Sequence, residues 1–204
     1  VQYQYRPSWS VPTRINFSMG FYHQHPQYRE FRNREGEINK GVTAQKSLQF
    51  ITGIDRFLTL WGRPFIFTTQ AYYKHLWDLN PYEIDNVRIR YYADNIAKGY
   101  ASGLDIRING EFIAGTQSWF SLGLLKTMED IENDENGYQR RPSDQRITMG
   151  AFFEDHLPND PSLRVYLNLN FGSGYPFGPP NNNVYRNAFS GDEYYRIDMG
   201  LTKI

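Results

Sequence analysis

The chain has 204 residues, and its 22 Lys plus Arg balance its 22 Asp plus Glu, so it carries no formal net charge. That balance removes the basic face that nucleic acid or an anionic membrane surface would need. There is no Cys, which excludes a disulfide frame, a thiolate nucleophile and a Cys-based zinc site.

The dominant hydrophobic period is two. Thr13–His23 sets Ile15, Phe17, Met19 and Phe21 against Asn16, Ser18, Gly20 and Tyr22. Val42–Phe57 sets Leu48, Phe50 and Ile54 against Gln45, Ser47, Gln49, Gly53 and Asp55. Pro64–Asp78 sets Phe65, Phe67, Ala71 and Tyr73 against Thr68, Gln70, Tyr72 and Lys74. Gly99–Ile113 is the cleanest, with Leu104, Ile106, Ile108 and Phe112 opposite Asp105, Arg107, Asn109 and Glu111. Gln117–Glu129, Asp144–His156, Leu163–Ser173 and Glu193–Ile204 repeat the pattern. These lengths exceed the ~5–6 residues usual for soluble strands and match the ~9–11 a tilted strand needs to cross the hydrocarbon core. No window approaches the ~20 apolar residues of a membrane helix, so a crossing would have to be made by strands.

The connections alternate. Gln24–Gly41, Leu79–Lys98, Asp130–Ser143 and Gly174–Asp192 are long, whereas Leu58–Arg63, Ala114–Thr116 and Leu157–Ser162 are short. Short turns at one end and long loops at the other are the signature of an up-and-down outer-membrane barrel. The sequence therefore predicts an all-β fold: an antiparallel up-and-down transmembrane β-barrel wall of about eight long strands. Asp105, Arg107, Asn109 and Glu111 would form a charge ladder facing the lumen and a plug. Trp61, Trp77 and Trp119 would be girdle residues at the interfaces. Pro158-Asn159-Asp160-Pro161 reads as a short turn, and Gly178-Pro179-Pro180-Asn181-Asn182-Asn183 as a loop that cannot continue a strand.

Gly99-Tyr100-Ala101-Ser102-Gly103-Leu104-Asp105, Ser118-Trp119-Phe120-Ser121 with Lys126-Thr127-Met128-Glu129, and Pro142-Ser143-Asp144-Gln145-Arg146 resemble strand motifs of TonB-dependent outer-membrane receptors of the Bacteroidetes type. Ser173-Gly174-Tyr175-Pro176-Phe177-Gly178-Pro179-Pro180 is similar to a late extracellular loop of that family, and Tyr194-Tyr195-Arg196-Ile197-Asp198-Met199-Gly200 to the strand after it. The motifs run in family order over most of Pro7–Ile204. The resemblance implies that residues 1–204 are part of a 22-stranded barrel domain, strands 13 to 20, without its plug domain and last strands. It implies a Gram-negative cell outer membrane and energised import of a scarce solute: a siderophore, a peptide, a glycan or cobalamin. The implied partners are the TonB–ExbB–ExbD complex through the plug and N-terminal region, that small-molecule, peptide or glycan ligand, a surface lipoprotein, and membrane lipid. No nucleic acid and no cofactor are implied.

The residues themselves suggest no enzyme. Asp144, Arg146 and Glu154 read better as rim or lumen charges than as an acid–base set. His23 and His25 could share a strand face, but they read better as a loop-base pair than as metal ligands, and His75 and His156 lie far off, so no metal site is expected. The sharpest ligand candidates are Arg88, Arg90, Tyr91 and Tyr92 in the Leu79–Lys98 loop, where charge and stacking could grip an anionic or sugar-like ligand. Two other readings stay open on the residues alone. A complete eight-stranded outer-membrane barrel, acting as anchor or adhesin, would pair Thr13–His23 with Glu193–Ile204. A secreted soluble β-sandwich that binds glycans would cover its apolar face with a second sheet.

Overall fold

The computed structural model describes residues 1–85, 88–157, 160–179 and 184–203. Pro158 and Asn159 of the expected turn, and Pro180-Asn181-Asn182-Asn183 of the expected loop, lie outside the described residues, as does Ile204.

The period-two segments all form strands. In chain order these are β1 (Gln2–Tyr5), β2 (Thr13–Gln24), β3 (Gln45–Leu60), β4 (Arg63–Leu79), β5 (Tyr82–Asp85), β6 (Arg88–Tyr91), β7 (Ala97–Gly110), β8 (Ser118–Ile131), β9 (Gln139–Arg140), β10 (Ile147–Leu157), β11 (Asp160–Gly172), β12 (Pro176–Phe177), β13 (Phe189–Ser190) and β14 (Tyr194–Lys203). The only helical element among the described residues is a single 3-10 turn, Tyr28–Phe31. Nine strands run antiparallel in the order β1-β2-β3-β4-β7-β8-β10-β11-β14, with β9 added beside β8. The spatial order is the chain order, so the sheet is a meander. The eight long strands are those expected, and β3 and β4 reach 16 and 17 residues.

The edges of this sheet bear on the closed eight-strand reading. β2 takes β1 as its outer neighbour, and β14 pairs with β11 alone among the described residues. Among the described residues the two ends of the run do not pair. The short connections are 6–12, 61–62, 111–117 and the one joining Leu157 to Asp160; the long ones are 25–44, 80–96, 132–146 and 173–193. Every long loop thus leaves the same end of the sheet. The 61–62 hairpin is a two-residue turn closed by Leu60 opposite Arg63. Trp61 and Gly62 both have positive φ, 52° and 73°, as the primed turn that matches strand twist requires.

Pairing register fixes what each face carries. One cross-strand row reads Ile15, Ile54, Thr69, Ile106, Leu122, Met149, Phe171, Tyr195, across eight strands. The adjacent row, one residue along each strand, reads Arg14, Asp55, Thr68, Arg107, Ser121, Gly150, Asn170, Arg196. A slip of one residue in any pair would swap these chemistries, so the rows specify the register strongly. Phe17, Met19, Ile54, Phe120, Leu124, Met149, Phe153, Leu169 and Ile197 of the apolar face are all exposed. No second sheet covers them: the only other sheets among the described residues are the two-stranded β5–β6 and β12–β13.

On the polar face, large side chains lie over glycines of the neighbouring strand. Tyr72 fills the space above Gly103, and Tyr166 that above Gly200, leaving no room for a Cβ at either. Two expectations about this face change. β7 ends at Gly110, so Glu111 falls outside the ladder and its backbone N–H donates to the carbonyl of Pro64 instead. Trp119 is no girdle residue: it pairs with Asn109 and Phe152 on the polar face, and Arg107 lies 5.3 Å over its ring.

Candidate functional site: the loop-covered end of the polar face

The long loops fold over the upper end of the polar face. Ser47, Leu76, Gly99 and Glu129 occupy one cross-strand row there, and all four are buried. Leu76, Leu79, Ala97 and Ile131 make a small hydrophobic core with Tyr92 and Ile96 packed against it. Polar side chains stitch the loops together. The Asn80 side-chain amide, on a residue that is 1% exposed, donates to the carbonyl of Glu30 at 2.8 Å, and Asn39 donates to that of Ala93 at 2.9 Å.

Two buried carboxylates on and beside β8 hold the other two long loops. Glu129 accepts from Arg141 at 2.9 Å and from Arg186 at 2.8 Å. Asp144 accepts from Arg140 at 2.7 Å, from Arg146 at 2.6 Å and from the Thr127 backbone N–H at 2.6 Å. Both carboxylate side chains have 0% exposure. Each such charge-assisted contact in a dry setting is strong, and breaking one strands a buried charge. Asp144, expected as a lumen or rim charge, is a buried brace, and Arg146, 38% exposed, reaches in to it from the edge.

Between loops and sheet lies a cavity of about 440 Å3. Its aromatic walls are Tyr22, Tyr82 and Tyr91, and its polar groups include Gln24, Gln45, Gln49, Asn80 and Glu30. Its two cationic side chains are already neutralised: Lys46 pairs with Asp78 at 2.6 Å and Arg141 with Glu129. Burial, with Glu30 nearby, holds the Tyr91 phenol above its ordinary pKa, so the ring is a neutral stacking and hydrogen-bonding surface.

The four loop residues expected to grip a ligand do not converge. Only Tyr91 lines the cavity. Arg88 is exposed, on the opposite side of β6 from Tyr91 by strand alternation. Arg90 donates to the carbonyl of Arg34 at 3.4 Å. The Tyr92 hydroxyl donates to Glu83 at 2.7 Å and accepts from Arg34 at 3.1 Å, and Arg34 closes an ion pair with Glu83. The lumen-ladder residues fare differently. Asp105 and Arg107 line a shallow groove of about 360 Å3 with Thr68, Gln70, Ser121 and Thr148, and Asn109 extends their side of β7. Among the described residues no three His, Asp or Glu side chains gather as a metal-ligand group.

Sequence reasoning missed Tyr22, Gln49, Tyr82 and Glu30. Tyr22 and Gln49 belong to adjacent polar-face rows at the mouth of the first long loop, which strand registration alone would have exposed. Glu30 is brought in by loop packing, which no local pattern announces. No protein-family model matches the chain, and no curated protein matches it significantly.

Proposed function

We propose that this chain is part of the wall of a transmembrane β-barrel in the outer membrane, and that the barrel is a TonB-dependent receptor of about 22 strands importing a scarce solute. The observation that carries the membrane reading is the uncovered apolar face: an eight-strand apolar row backed, one residue away, by an eight-strand polar row. In water such a face demands a cover; in a bilayer the lipid is the cover, and the polar face becomes the lumen wall. The nine residues from Phe65 to Tyr73 of β4 span about 27 Å along the strand, enough for a tilted crossing of the hydrocarbon band. The loop-covered end would face the outside, and the short connections the periplasm.

The cavity under the loops narrows the ligand class. Paired cations, three tyrosines, several amides and the Glu30 carboxylate suit a polar ligand without negative charge, a glycan or a peptide, over an anionic siderophore. The transport assignment rests on the family resemblance; TonB–ExbB–ExbD and a surface lipoprotein are the partners it proposes.

Fractionation of cells expressing the full-length protein tests the reading. It should be found in the outer membrane, resist alkaline carbonate and be released by detergent. Uptake of fluorescent oligosaccharides and peptides should require both the protein and an intact TonB complex. Recovery in the soluble fraction would end the membrane reading; outer-membrane residence with TonB-independent uptake would end the transporter reading and leave the wall.

A further inference from the structure

Charges at the upper edge of the apolar face differ in one respect. Lys46 is paired with Asp78 at 2.6 Å and Lys98 with Asp130 at 3.3 Å. Lys126 stands at the same edge, cross-strand from Ser102 in the row above Leu124, and it has no carboxylate partner among the described residues. Its ammonium instead lies 5.9 Å over the Tyr100 ring. Tyr100 in turn stacks on Tyr73, centroids 6.2 Å apart and planes 19° apart, and meets Tyr138 at 5.6 Å. Lys126 is exposed, as are Tyr73 and Tyr138. Below this cluster the apolar face is dented. The small side chain of Ala151 sits between Phe120 and Leu169 in the register, and a groove of about 340 Å3 opens there, walled by Phe120, Met149, Leu169, Phe171, Tyr195 and Ile197.

Resting on the membrane reading above, we infer that Lys126 and the Ala151 groove form a specific site for one anionic lipid of the outer leaflet. Lys126 holds the headgroup phosphate, the Tyr73–Tyr100–Tyr138 stack flanks the headgroup on the side away from the groove, and an acyl chain runs inward to the groove. Spacing supports this. Lys126 is about 14 Å along β8 from Leu122, the cross-strand partner of Met149 at the groove. One leaflet of hydrocarbon is about 15 Å thick, so a chain anchored at Lys126 reaches the groove without leaving its leaflet. Charge agrees as well: an ammonium with no carboxylate partner among the described residues, beside bare apolar surface, is matched by a phosphate on an acyl chain. The aromatic rings give the amphipathic contact that interfaces favour.

The test uses the full chain in phosphatidylcholine vesicles containing phosphatidylglycerol, with native mass spectrometry counting retained lipids. The wild type is expected to retain phosphatidylglycerol selectively. Lys126→Gln should lower that retention roughly fivefold, and Lys98→Gln should leave it unchanged. Ala151→Phe, which fills the groove at an uncovered position, should lower retention of the same lipid while leaving Lys126 in place. Millimolar inorganic phosphate should displace none of it, since the site needs the chain as well as the charge. Equal phosphatidylglycerol retention in the wild type and Lys126→Gln overturns the site, as does displacement by inorganic phosphate. If the wild type fails to float with vesicles at all, the membrane reading itself falls; flotation without selective retention removes only the lipid site.

Discussion

At Ala71, Tyr73 and His75, strand β4 leaves its apolar face bare; at Leu76 and Leu79, a few residues on, it is buried under the long loops, as is Asn80 just past its end. The contrast extends across the sheet. The middle of the strands buries almost nothing on its greasy side, while the loop end buries Ser47, Leu76, Gly99 and Glu129 on its polar side. A sheet folding in water does the reverse, packing its apolar face and wetting its polar one. The difference teaches that this fold takes its compactness from its loops and leaves its apolar area uncovered, as the proposed membrane setting requires.

The loop end breaks first. Glu129→Ala strands Arg141 and Arg186 without their shared carboxylate in a fully buried position. The expected loss is about 3–5 kcal/mol, read by denaturant unfolding in detergent micelles. Its sequence neighbour is the control: Asp130 pairs with Lys98, whose side chain is 58% exposed, and Asp130→Ala should cost less than about 1 kcal/mol. Similar losses from both substitutions would mean that the loop end is no more tightly braced than the surface.

The bare belt is tested next. Met149, the third residue of β10, is 39% exposed on the apolar face. In water Met149→Arg would change stability by no more than about 0.5 kcal/mol, as exposed positions do. Facing lipid it should cost well beyond that, up to about 2–4 kcal/mol the nearer its depth is to the bilayer midplane. Unfolding in phospholipid vesicles and in detergent-free buffer separates the two. Gly150, one residue away, faces the other side, where Arg196 already sits in the same row.

The belt was legible in the sequence and the braces were not, for a physical reason. Strand faces are set by a period of two that every residue reports, so Leu104, Ile106 and Ile108 against Asp105, Arg107 and Asn109 could be sorted without coordinates. Strand ends obey no such rule, which is why the pattern carries on to Glu111, one residue past the end of β7. β1, a four-residue strand of alternating Gln and Tyr, carries too little contrast to be recognised before its pairing with β2. Loop packing depends on partners distant in sequence. Glu129 and Arg186 are 57 residues apart, and no spacing announces that one neutralises the other. Arg90 and Tyr92 looked like a ligand grip because binding and loop stitching use the same residue types; what separates them is whether Arg34 and Glu83 already occupy their polar atoms.

The smallest effect comes from that stitching, and pH isolates it. Burial, reinforced by the hydrogen bond to Glu83, pushes the Tyr92 phenol up to about 12, against 10.0 in an unfolded chain. The folded state therefore favours the neutral phenol. Its contribution is whole below pH 10 and is lost as pH rises from there toward about 12. Tyr92→Phe removes the hydroxyl and should cost about 0.5–1.5 kcal/mol at neutral pH. The same variant should flatten the alkaline limb, so that the difference between wild type and variant shrinks across that window. Other tyrosines and lysines titrate there in both proteins and cancel in the difference. A wild-type-minus-variant difference that stays constant from pH 9 to 12 would show that the Tyr92 hydroxyl is not held by Glu83 and Arg34. The loop end would then owe its order to its small hydrophobic core, the Asn80 and Asn39 contacts and the Glu129 and Asp144 braces.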